Sequence, residues 1–253
     1  MFDLRVRKNG RPLLVGHRGS LETAPENTIL AFQSARDGGA DILELDVQLT
    51  SDNQVVVFHD VSLELKTGVP GTISMHSAEF LRGLDVGRYF GATYVGARMP
   101  FLDEVLAWAR GCIPLMIELK HGPVFNPALD AAVVGLIADH RMEEEVVLIS
   151  ADQFALQRVK QLNPHLATSF IFSGRLINPL ALVDGLDVDS FSPRTDLLTQ
   201  EEVERIHAAG YACSPGGFWW DYPRLIGWGV DTISSNNPAA IRWPDIMPAE
   251  PSP

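Results

Sequence analysis

The chain reads as a single (β/α)8 barrel, the TIM-barrel class of α/β fold, with a small insertion after a hairpin on its second strand. Short apolar, β-rich runs alternate with helix-like segments eight times, the signature of parallel strands joined by crossover helices. The length of 253 residues, 46% of them hydrophobic, suits one such barrel. No internal repeat and no long linker divides the chain, and a doubly wound sheet would not ordinarily need eight units.

Strands are expected near 13–17 (LLVGH), 42–47 (ILELDV), 114–119 (PLMIEL), 146–150 (VVLIS), 167–172 (ATSFIF), 187–191 (DVDSF), 210–213 (GYAC) and 231–234 (DTIS). The return arm 54–59 counts as an extension of the second strand. Helices are expected near 27–37, 101–110, 127–140, 152–162, 176–184, 199–208, 222–228 and 238–242. Asn27 after Pro25-Glu26, Thr199 before Gln200-Glu201-Glu202, and Asn237-Pro238 are start signals. Between His59 and the helix near 101 lie about forty glycine-rich residues, a length that implies a lid or small subdomain over residues 60–100. The four prolines of 244–253 mark a flexible tail.

Composition narrows the function classes. Net charge is −12, from 20 basic and 32 acidic residues, with no basic stripe, so nucleic acid is not an expected partner. The two cysteines, Cys112 and Cys213, make no disulfide framework and suit a reducing compartment. The first residues are too polar for a signal peptide, and no apolar run is long enough for a membrane span. A cytoplasmic enzyme on a small-molecule substrate fits these limits.

The block 41–60, DILELDVQLTSDNQVVVFHD, is the richest in chemistry. Glu44 and Asp46 are two apart on an apolar run, which in a strand puts both carboxylates on one face. With Ser51-Asp52-Asn53-Gln54 as the turn, residue 50 pairs with 55, 49 with 56 and 46 with 59, which sets His59 opposite Asp46. Barrel chemistry sits at the C-terminal ends of strands. The first strand runs into His17-Arg18-Gly19, the third ends Glu118-Leu119-Lys120, and the fourth ends in Ser150. Three carboxylates, two histidines, an arginine and a lysine therefore collect at one end. Carboxylates without cysteine favour a hard cation, Mg2+ or Ca2+, over zinc. Two imidazoles suit proton transfer, and Arg and Lys suit an anion.

The string His17-Arg18-Gly19, then Pro25-Glu26-Asn27-Thr28, the block GADILELDVQLTSDNQVVVFHD, Pro100-Phe101-Leu102-Asp103-Glu104-Val105-Leu106 and Glu118-Leu119-Lys120 resembles the glycerophosphodiester phosphodiesterase family. The resemblance implies a TIM barrel with a subdomain after the hairpin. It implies one divalent cation, Mg2+ or Ca2+, on Glu44, Asp46 and Glu118, with His17 and His59 as acid–base pair and Arg18 and Lys120 on phosphate. It implies hydrolysis of a glycerophosphodiester to sn-glycerol 3-phosphate and an alcohol, the attacker being either the substrate's own glycerol 2-hydroxyl, with the cyclic phosphate then opened by water, or water directly. The second half departs from the family pattern. Ala212-Cys213-Ser214-Pro215 replaces a Trp-Thr-x-Asn segment, and the closing segment reads Ser235-Asn236-Asn237-Pro238. These changes bear on the wall around the leaving alcohol rather than on the metal centre.

Other readings compete. Phe218, Trp219 and Trp220 are core, rim or substrate platform; with residues 80–96 they could form a slot for an acyl chain, making a lysophospholipase D-like enzyme. Ser150 reads as a pocket wall, since no Gly-x-Ser-x-Gly elbow surrounds it. A barrel that binds a phosphate ligand without turning it over is the alternative from another class; His17 and His59 beside a full carboxylate set count against it. Of the other histidines, His121 stands out because it follows Lys120.

Overall fold

The computed structural model describes residues 1–120, 125–217 and 221–247. Eight parallel strands are laid in the order β8-β7-β6-β5-β4-β2-β1-β9. They are β1 (Leu13–Gly16), β2 (Ile42–Leu49), β4 (Leu115–Leu119), β5 (Val146–Ser150), β6 (Ala167–Phe172), β7 (Ser190–Pro193), β8 (Ala212–Cys213) and β9 (Thr232–Ser235); β3 (Val55–Val57) pairs antiparallel with the end of β2. The helices are α1 (Ile29–Asp37), α2 (Glu64–Thr67), α3 (Ala78–Arg82), α4 (Leu102–Ala109), α5 (Ala128–His140), α6 (Gln153–Leu162), α7 (Gln200–Ala208), α8 (Tyr222–Gly227) and α9 (Trp243–Ile246). This is the expected barrel, nearly closed. Between β8 and β9 the ladder gives way to single bonds: Asp231 N donates to Cys213 O at 2.9 Å, and the Ser214 and Thr232 hydroxyls meet at 2.7 Å. The Asp231 carboxylate clamps this seam, accepting from Cys213 N at 2.7 Å and from Arg7 Nη2 at 3.1 Å.

The inward faces of the strands form the axis of the site. Leu13 and Val15 on β1, Ile42 on β2, Met116 on β4, Val147 and Ile149 on β5, Ala167 on β6 and Ala212 on β8 fill one core cluster, with Leu4 packed against them. The same inward register, continued two residues at a time, leads to His17, to Glu44 and Asp46, and to Glu118 and Lys120. The apolar layers thus give way to charge at the C-terminal end. The outward faces of β2, β4 and β5 pack on α1, α4, α5 and α6 around Phe32, Leu45, Leu106, Ile117 and Leu148. Those of β6 to β9 pack on α7 and α8 around Phe172, Phe191, Val203 and Ile233.

Several boundaries differ from expectation for local reasons. Helix α1 starts at Ile29, not at 27, because Thr28 caps it, its hydroxyl accepting from Ala31 N at 3.2 Å. Residues 179–183 make only a 3-10 turn, and 238–240 another. Residues 244–246, expected as part of a flexible tail, are helical. Residues 243–246 form α9, with Trp243 and Ile246 against the second core cluster and the Arg11 guanidinium 4.0 Å from the Trp243 ring centroid. The segment 60–100 carries α2 and α3 and a small core of its own, with Val56, Phe58, Leu63, Ile73, Leu81, Met99 and Phe101.

The hairpin register is one residue off the expected one. Thr50 N donates to Gln54 O at 2.9 Å, so the loop is three residues, 51–53, rather than four. Its third residue, Asn53, takes the left-handed conformation at φ 60, and the Thr50 hydroxyl accepts from Gln54 N at 2.9 Å. The pairs are therefore Val47 with Val57 and Leu49 with Val55. Phe58 rather than His59 lies opposite Asp46, its N–H donating to Asp46 O at 2.9 Å. His59 reaches the site from just beyond the strand end.

This loop makes a stability prediction. Asn53→Gly should leave the urea midpoint nearly unchanged. Asn53→Val, which places a β-branched side chain in the left-handed region, should cost about 1–2 kcal/mol by urea unfolding.

Candidate functional site

The carboxylates meet because of strand register. Asp46 on β2 and Glu118 on β4 are directly paired across the parallel ladder, so their side chains share one face; Glu44 lies two residues earlier on β2. Oxygens of Glu44, Asp46 and Glu118 all fall within 4.8 Å of one another. Two cations flank them. Lys120 Nζ lies 2.7 Å from Glu118 Oε1 and 3.3 Å from Asp46 Oδ1. Arg18 Nη1 donates to Glu26 Oε1 at 2.9 Å, and its Nε is 3.5 Å from Asp46 Oδ2.

Backbone geometry around β1 aims these groups. Arg18 adopts φ 50, which lets its N–H donate to Glu44 Oε2 at 2.8 Å while its side chain reaches Asp46. Asn27, at φ 55, exchanges two hydrogen bonds with Asp46: its Nδ2 donates to Oδ2 at 2.8 Å and its Oδ1 accepts from Asp46 N at 3.2 Å. Gly19 between them is required, since a Cβ there would meet the Ala31 carbonyl carbon at 2.5 Å.

Each histidine is held through Nδ1. His17 Nδ1 lies 2.9 Å from Asn236 Oδ1, which can only accept, so that nitrogen carries the proton and Nε2, 4.0 Å from Glu44 Oε2, carries the lone pair. His59 Nδ1 pairs with Asp60 Oδ1 at 2.8 Å in the same way. Lys66, from α2, contacts both Asp60 and Glu26. Sequence reading singled out neither Lys66 nor Asp60, nor gave Asn236 a role. Their signal, a polar residue at a loop position, is too common to stand out. Glu26 and Asn27 were seen only as part of a motif.

The electrostatics follow from crowding. Burial and the Asp46 charge push Glu44 well above the usual carboxylate range, and push Glu118 up to about 7. Asp46 is buried too, yet Lys120 and Arg18 hold its carboxyl low, helped by the His59 charge and Asn27. Burial and the neighbouring Arg18 charge push His17 down to about 4, so its ring is neutral near pH 7. Three carboxylates against Arg18 and Lys120 leave one net negative charge when all are ionised. A divalent ion reverses that to one positive, matched by a phosphodiester monoanion. The residues fit a hard cation on a further count. Asp46 Oδ1 is buried and has no hydrogen-bond partner among the described residues, with the Lys120 ammonium at 3.3 Å.

Two cavities open at this end. One of about 780 Å³ is bordered by His17, Arg18, Glu22, Arg194, Tyr222 and Asn236. A narrower one of about 170 Å³ runs from His17, Glu44 and Glu118 down to Met116, Ile149 and Ser214. Ser150 lines neither; it is buried, donating to Leu119 O at 3.2 Å and accepting from Asp152 N at 3.1 Å. Residues 80–96 line neither cavity; Tyr94 there ties the insertion to the site loop, its hydroxyl donating to Thr23 O at 2.6 Å. Phe218, Trp219, Trp220 and His121 lie outside the described residues. A cavity of about 310 Å³ at the other end of the barrel, bordered by Phe2, Arg5, Asp189 and Tyr211, holds none of these groups.

Comparison with known proteins agrees with this geometry. The chain is 32% identical over 91% of its length to a glycerophosphodiester phosphodiesterase of Caldanaerobacter subterraneus, covering 96% of that protein. It is 29% identical over 90% of its length to one of Bacillus subtilis, covering 84% of it. Among solved structures, a phosphodiesterase of Oleispira antarctica in complex with the product sn-glycerol-3-phosphate superposes with a TM-score of 0.85 at 27% identity, over 91% of this chain and 95% of that one. A putative glycerophosphoryl diester phosphodiesterase of Silicibacter pomeroyi gives 0.82 at 26% identity, over 90% of each chain. The model of the glycerophosphoryl diester phosphodiesterase family matches residues 17–240, and with that match spanning barrel and site alike, the chain belongs to this family.

Proposed function

We propose that this protein hydrolyses glycerophosphodiesters to sn-glycerol 3-phosphate and an alcohol, with a divalent cation, Mg2+ or Ca2+, held by Glu44, Asp46 and Glu118. The observation that carries the reading is the carboxylate triangle flanked by Arg18 and Lys120, with His17 beside Glu44 and His59 held by Asp60. The Oleispira antarctica neighbour, which holds sn-glycerol-3-phosphate as product, supports the glycerol phosphate half of the substrate. The larger cavity beside His17 and Arg18 gives room for the alcohol half. The cation, when bound, supplies charge neutralisation at the phosphoryl oxygens.

This chain's own residues supply the rest. Arg18 and Lys120, both beside Asp46, would donate to the phosphate oxygens of the bound substrate. His17, neutral and with its lone pair on Nε2, takes the proton of the attacking hydroxyl. His59, oriented through Nδ1 by Asp60, gives a proton to the leaving oxygen. Release of glycerol 3-phosphate from glycerophosphocholine, abolished by chelation and restored by Mg2+ or Ca2+, tests the reading. Binding without turnover by the metal-loaded protein would instead make it a phosphate-ligand barrel.

Three outcomes are expected. First, metal and protons compete. Because Glu44 and Glu118 titrate above the usual range in the metal-free protein, affinity for the cation should fall as pH drops through about 7. The raised values also mean that these groups favour the metal-free fold at low pH and lose that contribution as pH rises through them. Metal added at a hundred times its pH 8 Kd should therefore raise Tm by about 5–10 °C at pH 8 and by less at pH 5.5. Glu44→Gln should weaken cation binding, with excess metal partly restoring activity.

Second, Arg18→Lys should lower kcat/KM although charge is kept, because a two-pronged donor becomes a point charge; unchanged kinetics would remove Arg18 from the phosphate site. Third, the pH–rate profile should be bell-shaped, with His17→Ala removing the acid limb and His59→Ala the alkaline limb. Each change should cost on the order of 10²–10⁴ in rate, and the double variant less than the product of the two.

A further inference from the structure

Lys66 is a buried lysine, 8% exposed, on the short helix α2 of the insertion, and the proposed chemistry has no use for its charge. A buried ammonium is costly unless paired. Its Nζ contacts Glu26 Oε1 and lies 3.1 Å from Asp60 Oδ2, under the rings of Phe58 and Tyr89 at 5.3 and 5.8 Å. The same Glu26 oxygen accepts from Arg18 Nη1 at 2.9 Å, and the other Asp60 oxygen meets His59 Nδ1 at 2.8 Å. Charges thus alternate without a break from Arg18 through Glu26, Lys66 and Asp60 to His59. Oxygens and nitrogen of Glu26, His59 and Asp60 also lie within 4.8 Å of one another, as a second metal site would require, but the Lys66 ammonium already serves as their cation.

We propose that Lys66 is a positioning residue for both His59 and Arg18, its ammonium bridging the carboxylate that orients the imidazole and the carboxylate that orients the guanidinium. The proposal rests on the function proposed above. Lys66 shares the charge of Glu26, so that Arg18 is not held too tightly to release toward phosphate. It also pins Asp60, so that His59 keeps a proton on Nδ1 and turns Nε2, with the proton it gives up, toward the reaction. The insertion is thereby tied to the chemistry without touching substrate.

The test uses the full chain, loaded with Mg2+ or Ca2+, and glycerophosphocholine. Lys66→Met should lower kcat about ten- to a hundred-fold, with KM rising only a few-fold. Ring 15N shifts, read at a pH where His59 is neutral, should show the Nδ1–H tautomer in the wild type and a mixture in the variant. Lys66→Arg, which keeps a cation, should recover most of the lost kcat. A folded Lys66→Met protein with wild-type kcat and unchanged His59 shifts overturns the proposal. Should Lys66→Met fail to fold, Asp60→Ala decides: it must reproduce both the kcat loss and the tautomer change, and normal values for both overturn the bridge. A wild type that hydrolyses no glycerophosphodiester overturns the function instead, and the His59 shifts of Lys66→Met then judge the bridge alone.

Discussion

Repulsion among three carboxylates, forced together by strand register and stripped of water, is the constraint around which the active end is organised. Asp46 and Glu118 are ladder partners, and Glu44 shares their face, so no rotamer choice separates them by more than a few ångströms. Near the barrel axis, where the effective dielectric is low, such a cluster either takes up protons or takes up cations. The structure divides the answer. Asp46 stays ionised because Lys120 and Arg18 face it, while Glu44 and Glu118 drift upward and hold their protons more tightly than carboxylates usually do. The same imbalance leaves the site short of positive charge.

Around this centre each charged side chain has a counterpart, and the counterparts come from different loops. Arg18 and Asn27 enter from the loop after β1, both with left-handed backbone. Lys66 enters from the insertion, Asn236 from beyond β9 and Lys120 from beyond β4. Four loops of one barrel end thus share a single electrostatic account, and strain at Arg18 and Asn27 is tolerated because each makes bonds to the carboxylates that no extended residue could make there.

Much of this was legible in the sequence. Two-residue spacing put Glu44 with Asp46 and Glu118 with Lys120 on shared faces, and strand–helix alternation put the four loaded strand ends on one side. What was not legible depended on loop geometry. The hairpin register turned on whether the Thr50 hydroxyl would close a three-residue loop, and nothing in the order Ser51-Asp52-Asn53-Gln54 excludes the four-residue alternative. Lys66 was invisible for another reason. In sequence it belongs to a glycine-rich excursion forty residues from Glu26, and only the packing of Leu63, Ile73 and Leu81 beneath the hairpin brings α2 to the site. Residues 244–246 were read as tail because the prolines of 244–253 outweighed the helix, whose Trp243 finds its partner, Arg11, at the other end of the chain.

The unevenness of the barrel wall has a consequence for how such an enzyme can diversify. The metal-side half is a continuous ladder from β1 through β6, whereas β8 has two residues and meets β9 through little more than Asp231 and a pair of hydroxyls. That thin seam runs up to Ser214, Pro215, Gly216 and Gly217, which border the narrower cavity. Insertions or replacements at the seam break few cooperative bonds, and none of those that set the spacing of Glu44, Asp46 and Glu118. The fold therefore places the carboxylate ladder and the thin seam on separate walls, so that one can be altered without disturbing the other.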